Sequence, residues 1–323
     1  MFDIAEKMRE NKNFALDWAY KVKGNIELSE TEKEMSASID VWAKEIGNGQ
    51  RPVIELSAFI QKVVQPVYSD APFELLSTFL NTDSIGEFDN FKEIEDAKNT
   101  LQAYESARAV GNVYRTFIDY ASLAPTFKHI QLETEVTLEK LRKGGYKTVA
   151  ELTNFAEIAL RNKMFAEVMS IINAAVTSGD NYGSGALAEA GIKAIADYIN
   201  EMGGGIILAS QANVNAIVNL VPVDEMSDAM KEALNRVGSL PVFRGVPLVG
   251  IKRTAKLADG TLPISTTAVY GVAGIIGDLV QRGDLRVLSQ EDINAEKIHL
   301  KFTGVEFGVV VRNPELMYKH AIS

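Results

Sequence analysis

Cysteine is absent from this sequence of 323 residues. Its absence excludes disulfide bonds, thiolate metal sites and a cysteine nucleophile. A chain without disulfides fits folding inside a cell, where thiols stay reduced. Stability must therefore come from burial of a core, and a hydrophobic content of 46% is sufficient for one.

Histidine is also scarce, and the common catalytic motifs are missing. The three histidines are His129, His299 and His320, and none has the spacing of a metal site or a metalloprotease. His129 and His299 fall at polar positions of predicted strands, which indicates surface or supporting roles. The sequence contains neither a P-loop nor the nucleophile elbow of hydrolases. These observations disfavour a hydrolase or a nucleotidase, and we expect no catalytic residue, no cofactor and no metal.

Long hydrophobic runs are almost missing. One uncharged run spans residues 202–223, but polar side chains such as Gln211 and Asn215 interrupt it. The first residues carry no basic segment followed by an apolar stretch, so no secretory signal is predicted. The sequence thus predicts a soluble core and no membrane contact.

Length and charge narrow the class of protein further. A chain of 323 residues exceeds the ~250–300 residues at which one core stops growing, which predicts two domains. Lysine and arginine number 33 against 43 acidic residues, and the net charge is -10. This balance argues against a protein whose main task is to coat nucleic acid, although it allows a locally basic face.

Two amphipathic helices are predicted before residue 50. The first carries its apolar stripe through Trp18 and ends at a Gly-Asn pair. The second starts with a capping box formed by Ser29 and Glu32, has Trp42 on its stripe, and stops at a glycine-rich turn. Both stripes are narrow, so the helices pack either on their own domain or on a neighbouring copy.

A polar hairpin is predicted around residues 111–112, where a Gly-Asn pair lies between two strand-like arms. Counting outward places Arg108 opposite Arg115 and Tyr104 opposite Asp119. The arms have no apolar face of their own to bury. Because an isolated two-stranded ribbon is marginal in water, the hairpin needs support from its own domain or from another subunit.

A long helix dominates the middle of the sequence. Strand-like alternation over 129–138 is followed by a run over 149–177 without glycine or proline, which Thr148 is expected to cap. At 1.5 Å per residue this helix would measure about 44 Å. Its apolar face is wide enough to cover a sheet. That face consists of Leu152, Phe155, Ile158, Phe165, Met169, Ile172 and Val176.

A second region of α/β character follows the polar loop at 178–185. The pattern G-x-G-x-x-A at 183–188 would need a strand directly before it to bind a dinucleotide, so we interpret it as a linker and helix start. Past Gly304 the apolar phase of the last strands flips, which predicts a bulge or tight turn. Pro314 is expected to end the last strand. The predicted elements are helices at 186–202, 211–220 and 224–237 and strands at 205–209, 247–251, 268–273, 298–303 and 305–311.

The order of these elements resembles the major capsid proteins of tailed bacteriophages, which have the Hong Kong 97 type of fold. Local likeness is present at 206–210, 243–248 and 307–315. The resemblance implies an α+β fold with an N-terminal helical arm, an extended hairpin loop, a peripheral domain with a long spine helix, and an axial α/β domain. The implied boundaries are 1–52 for the arm, 87–125 for the extended loop, 181–296 for the axial domain, and 53–86, 126–180 and 297–323 for the peripheral domain, with the spine helix at 149–177.

The resemblance also implies a function. The chain would be a major capsid protein that self-assembles into the pentamers and hexamers of an icosahedral or prolate head in the host bacterial cytoplasm. Its partners would be copies of itself, scaffolding, portal and decoration proteins, and packaged double-stranded DNA held without sequence-specific contacts. The expected assembly contacts are Tyr104, Arg108, Arg115 and Asp119 in the extended loop and Trp18 and Trp42 in the arm.

Three alternatives stay open from the sequence. Encapsulins, which are bacterial protein compartments, share the fold but usually have a shorter N-terminal arm. An α/β enzyme or ligand-binding protein would use the loop at 180–185 and bind a small ligand saturably. A helical adaptor would bind its partners through the N-terminal helices, and deletion of residues 1–49 would leave the rest of its fold intact.

Overall fold

The structure is a computed structural model, and it describes residues 14–69, 74–87, 89, 94–98, 119–220, 242–292 and 294–323. The predicted helix at 224–237 lies outside these residues. The helices are α1 (Phe14–Lys23), α2 (Glu30–Gly47), α3 (Ile54–Ser69), α4 (Glu74–Ser77), α5 (Leu138–Gly144), α6 (Tyr146–Ala175), α7 (Glu189–Glu201) and α8 (Gln211–Leu220). The strands are β1 (Leu80–Ile85), β2 (Ile94–Lys98), β3 (Asp119–Leu123), β4 (Lys128–His129), β5 (Leu132–Thr137), β6 (Tyr182–Gly185), β7 (Ile206–Ser210), β8 (Val242–Phe243), β9 (Val246–Ile251), β10 (Ala268–Val272), β11 (Gly277–Arg282), β12 (Arg286–Asp292), β13 (Lys297–Thr303), β14 (Glu306–Val311) and β15 (Met317–Ile322).

The long helix α6 is confirmed, with 30 residues and a length of about 45 Å. The expectation that Thr148 caps it is wrong, because the helix already begins after Gly145. Thr148 lies inside the first turn, and its hydroxyl donates to the carbonyl of Lys140 at 3.1 Å. On the predicted apolar face of this helix, Phe165 and Ile172 are buried, whereas Phe155 is 55% exposed, so its prediction is wrong.

Both N-terminal helices form, and the second begins as predicted. The hydroxyl of Ser29 accepts from the backbone N–H of Glu32, and the Glu32 carboxylate accepts from the backbone N–H of Ser29. This reciprocal capping box satisfies two of the donors that a helix start leaves free. Helix α2 then runs for 18 residues to Gly47.

The strands form four sheets in the described chain. A four-stranded sheet has the order β1-β11-β14-β4, and a three-stranded sheet has the order β12-β13-β5. A six-stranded sheet has the order β6-β15-β10-β7-β9-β8, and β2 pairs with β3 alone. The mixture of parallel and antiparallel pairs, with helices beside the sheets, is an α+β arrangement.

The flip of apolar phase at Gly304 marks the point where the chain passes from one sheet to another. Strand β13 before it belongs to the three-stranded sheet, and β14 after it belongs to the four-stranded sheet. Gly304 has a φ of 97°, and an added Cβ would lie 2.5 Å from the carbonyl oxygen of Asp284. Only glycine fits this corner without strain.

Two local predictions are wrong because each strand's partner is remote in sequence. The run at 182–185 is strand β6, parallel to β15, and helix α7 begins only at Glu189. Pro314 does not end the last strand, because β15 follows it between β6 and β10. Gly183 in this strand serves packing, since an added Cβ would lie 2.9 Å from Nδ1 of His320.

The sheets also divide the chain differently from the predicted domain boundaries. Strands β11 and β12 lie within the predicted axial range 181–296 but pair with β1, β14 and β13. Strand β15 lies within the predicted peripheral range 297–323 but is part of the six-stranded sheet. The division into peripheral and axial domains stays a prediction.

Two clusters of buried side chains make the core. The larger one joins α1, α2, α3 and α6 to the three-stranded and four-stranded sheets, with Trp18, Met164 and Phe302 among its members. The smaller one lies between α7 and α8 and the six-stranded sheet. Tyr270 and Val269 are neighbours on β10 and belong to different clusters, as expected from the alternation of side chains along a strand.

Candidate assembly surfaces

Helix α1 is held against the spine helix α6 by a buried polar contact. The Tyr20 hydroxyl donates to Oε2 of Glu157 at 2.6 Å, and Glu157 is 1% exposed. Arg161 lies 3.2 Å from the other oxygen of the same carboxylate. Burial and the hydrogen bond to Glu157 raise the pKa of Tyr20 well above its usual value. The phenol therefore stays protonated and donates.

A second contact joins the end of α1 to the same helix. Nζ of Lys23 donates to Oδ1 of the buried Asn154 at 2.8 Å and lies 4.3 Å from the ring centroid of Phe155. The lysine thus makes a cation–π contact with a ring that is 55% exposed. No local pattern predicts either contact, because the partners are more than 130 residues apart.

Helix α2 supplies the cap that the spine helix lacks. Gly145 at the start of α6 has no side chain, and Oδ1 of Asp40 accepts from the backbone N–H of Tyr146 at 3.4 Å. A Cβ on Gly145 would lie 1.8 Å from that oxygen, so glycine is required for the approach. A carboxylate at this position also interacts favourably with the helix dipole.

Trp18 and Trp42, which are the expected contacts of the arm, are buried within their own chain. Nε1 of Trp18 donates to the hydroxyl of Ser36 at 2.9 Å, and Nε1 of Trp42 donates to Oε2 of Glu55 at 2.9 Å. The indole of Trp42 and the guanidinium of Arg51 lower the pKa of Glu55. Of the two packing alternatives, the structure has the helices on their own core. A role of these tryptophans in assembly stays a prediction.

This burial is difficult to reconcile with the adaptor alternative. That alternative requires residues 1–49 to be dispensable for the rest of the fold. Trp18, Met35 and Ile46 instead belong to the same buried cluster as the spine helix. Deletion of these helices would expose an apolar face of α6 and remove its Asp40 cap.

The extended loop contributes the two-stranded sheet of β2 and β3. In the described residues neither strand pairs with any other strand. Asp119 is paired with Lys98, so the predicted register that placed Tyr104 opposite Asp119 is wrong. Tyr104, Arg108 and Arg115 lie outside the described residues, and their role as assembly contacts stays a prediction.

The root of this loop is fixed to the four-stranded and three-stranded sheets. Glu87 forms an ion pair with Arg286 of β12, and the backbone N–H of Gly283 donates to the carbonyl of Ile85 at 3.2 Å. On the returning side, the guanidinium of Arg282 lies 4.3 Å from the ring centroid of Phe127. These contacts hold both ends of the extended loop in place on the two sheets.

The histidines form no metal centre. Nε2 of His129 lies 3.0 Å from the hydroxyl of Thr303, and Nδ1 of His299 lies 3.4 Å from Glu135. Both are partly exposed, as their polar strand positions predicted. His320 is buried on β15. Within the described ranges, no group of three or more histidine, aspartate or glutamate side chains could hold a metal ion, and no helix is long and apolar enough to span a membrane.

Comparison with solved structures identifies the fold. A chain of Gordonia phage Cozz matches with a TM-score of 0.54 and 13% identity, over 77% of this chain and 86% of the other. A chain from the capsid of a native GTA particle matches with a TM-score of 0.57 and 9% identity, over 78% of this chain and 91% of the other. The mature capsid of bacteriophage PhiM1 gives a TM-score of 0.50 and 14% identity, over 75% and 86%.

The chain has the Hong Kong 97 fold. The resemblance inferred from the order of elements is thereby confirmed at the level of fold, as is the α+β class. The identities of 9% to 14% explain why short motifs carried little of the resemblance. No family model matches the sequence, and the search of curated proteins likewise gave no match.

Proposed function

We propose that this protein is a capsid subunit that assembles with copies of itself into the pentamers and hexamers of a closed phage head enclosing double-stranded DNA. It acts as a structural protein and performs no catalytic step. Assembly takes place in the cytoplasm of the host bacterium, with scaffolding, portal and decoration proteins as further partners.

The observation that carries this proposal is the pairing of β2 with β3 alone in the described part of a Hong Kong 97 fold. A two-stranded ribbon is marginal in water by itself, so another surface has to stabilise it. In a shell this surface belongs to a neighbouring copy. The ion pair between Glu87 and Arg286 then connects the loop, and with it the contact to the neighbouring copy, to the body of the subunit.

Shell assembly does not require any single strong contact. In a closed shell each copy touches several others, so modest contacts act together. Contacts that are too strong would trap errors. A polar loop and an arm that is already packed on its own core fit this requirement, because neither offers a large apolar surface.

Expression of the full chain alone, followed by negative-stain electron microscopy and size-exclusion chromatography, tests this proposal. We expect closed shells, sheets or tubes built from pentamers and hexamers. A clean monomer or dimer that crowding agents and a candidate scaffold leave unchanged would contradict it. Shells that enclose a protein cargo and exclude DNA would favour an encapsulin-like compartment.

A further inference from the structure

A loop with three cations lies against the middle of the spine helix. It joins β9 to β10 and contains Lys252, Arg253 and Lys256. Its anchor is Asn162 of α6, whose Nδ2 donates to the carbonyl of Lys256 at 3.2 Å. Asn162 itself is 6% exposed, and the contact is partly buried. The loop is therefore held at a fixed place on the helix.

These three cations lie within five consecutive residues of one loop. All three are exposed, and none has a carboxylate within ion-pair distance among the described residues. Single exposed lysines without an ion pair occur elsewhere in the described residues, as at Lys62, Lys193 and Lys301, but here three such cations share one short loop. Clustered unpaired cations repel each other, so an anionic partner would stabilise the loop.

Two more lysines extend the cluster along the helix. Nζ of Lys163 lies 2.7 Å from Glu167, and Nζ of Lys128 lies 2.6 Å from the same carboxylate. Hydrogen bonds from Lys128 and Lys163 lower the pKa of Glu167, which keeps it ionised. Beside them is an open cleft of about 440 Å³, which His129 and Gln131 also line. One carboxylate thus serves two ammonium groups.

We name Lys128, Lys163, Lys252, Arg253 and Lys256 the basic face. Its five cations face two carboxylates, Glu167 and the Asp259 that lies near Lys163, which leaves a surplus of three positive charges. The whole chain has a net charge of -10. The positive charge of this surface is therefore a local feature that opposes the overall balance.

The chemistry of this surface fits a nucleic acid better than a protein. Protein interfaces usually have an apolar centre within a polar rim. None of the exposed large apolar side chains of the described residues belongs to the loop or lines the cleft; they are Ile26, Val41, Ile54, Phe155, Met202, Val242 and Leu288. Exposed cations without such a centre are typical of contacts with phosphate groups.

We infer that the basic face binds the phosphate backbone of double-stranded DNA and so marks the side of the subunit that faces the interior of the shell. This inference rests on the proposed function for the location of the DNA. The contact is independent of sequence, because it involves phosphates and no base edges. A local basic surface of this kind would let an acidic shell protein contact the DNA that the shell encloses.

The test measures binding of a fluorescently labelled DNA duplex to the soluble full-length protein by anisotropy, over a series of salt concentrations. The variant is Lys252→Gln/Arg253→Gln/Lys256→Gln. The affinity falls as salt rises, and each lost phosphate contact makes the slope of log K against log salt less steep by about 0.9, so we expect the magnitude of the slope to fall by up to about 2.7. The matched control is Lys140→Gln/Lys147→Gln/Lys193→Gln, which changes the net charge equally at exposed lysines on other elements.

A second variant that should bind DNA more tightly tests whether a loss of binding in the triple variant could be due to misfolding. Glu167→Gln releases Lys128 and Lys163 from their shared carboxylate and should tighten DNA binding at low salt. Equal loss in the triple variant and its control would overturn the inference, as would unchanged binding in both. A triple variant that binds DNA normally but fails to assemble would instead make this surface a contact between copies.

The DNA-binding inference and the proposed shell function can fail independently of each other. If electron microscopy finds no shells but the triple variant alone loses DNA binding, the proposed function fails and the basic face stands as a DNA-binding surface. If shells form, those of the triple variant should co-purify with less nucleic acid than those of the control. Equal nucleic-acid content would count against an interior location.

Discussion

At the scale of single residues, the junction between α1 and the spine helix depends on polar groups removed from water. Glu157 is almost fully buried, and it is satisfied by the Tyr20 hydroxyl and by Arg161. A buried carboxylate that loses one of its donors keeps the cost of desolvation without the compensation. The junction should therefore be sensitive to the loss of one oxygen atom.

Tyr20→Phe removes this donor and little else. We expect the free energy of unfolding to fall by about 1–2 kcal/mol, because the Glu157 carboxylate remains buried with only Arg161 as partner. Urea denaturation followed by circular dichroism measures the change. Tyr182→Phe is the control, since the Tyr182 ring contacts Lys319 and its hydroxyl makes no hydrogen bond within the described chain. Equal losses in the two variants would contradict this account.

The buried hydroxyl of Tyr20 should also make the stability of the fold depend on pH in the alkaline range. Burial raises the pKa of Tyr20 and raises the pKa of Tyr270 to about 12, whereas an unfolded tyrosine ionises near its ordinary value of about 10. The folded chain thus holds these protons more tightly, and the resulting stability is complete below about pH 10 and decreases as pH rises through the folded values. Between these limits Tyr20→Phe/Tyr270→Phe should lose less stability with pH than the unaltered chain. Parallel pH profiles of the two proteins, measured by urea denaturation, would refute this prediction.

At the scale of elements, sequence periodicity predicted those structures whose partners are local. Helices α2, α6 and α8 were predicted to within a few residues, because capping and the spacing of apolar side chains are properties of the helix itself. Strands β6 and β15 were missed, since they pair with each other across more than 130 residues. The Asp40 cap and the Tyr20 to Glu157 contact were missed for the same reason.

The corner at Gly304 shows how much one element boundary depends on backbone geometry. Gly304→Ala should lower the free energy of unfolding by about 2 kcal/mol or more, because it combines an unfavourable φ with a Cβ 2.5 Å from the Asp284 carbonyl. Gly260→Ala is the matched control, with a φ of 81° and open space around its Cβ. We expect about 1 kcal/mol there. Equal effects in thermal or urea unfolding would show that the close contact contributes nothing.

At the scale of the whole molecule, the fold was recognisable from the order of elements, whereas the assembly contacts stay a prediction. The expected contacts Trp18 and Trp42 lie in the chain's own core. The apolar faces of their helices are compatible with a surface for a neighbouring copy, because a sequence does not show which apolar face is covered by its own chain. Burial inside one subunit and burial between subunits obey the same physics.

The extended loop allows a direct test of assembly. Replacing both Arg108 and Arg115 by Glu should abolish shells while leaving a folded subunit, because the two arginines are expected to meet acidic groups on a neighbouring copy. Electron microscopy reports the shells, and circular dichroism reports the fold. Lys140→Glu/Lys147→Glu on the body of the subunit provides the charge-matched control. If the loop variant still formed normal shells, Arg108 and Arg115 would not be assembly contacts.

The position of β15 also has a consequence for the order of events in the cell. This strand lies between β6 and β10, so the six-stranded sheet stays split into two unpaired parts until residue 322 has been synthesised. Closure then requires a long-range pairing, which is slow compared with helix formation. A nascent chain that has not yet reached β15 therefore cannot present the finished sheet to its neighbours. In the proposed shell, synthesis of β15 would set the earliest time at which a subunit with this sheet can join others, so shorter chains would be kept out of the assembly.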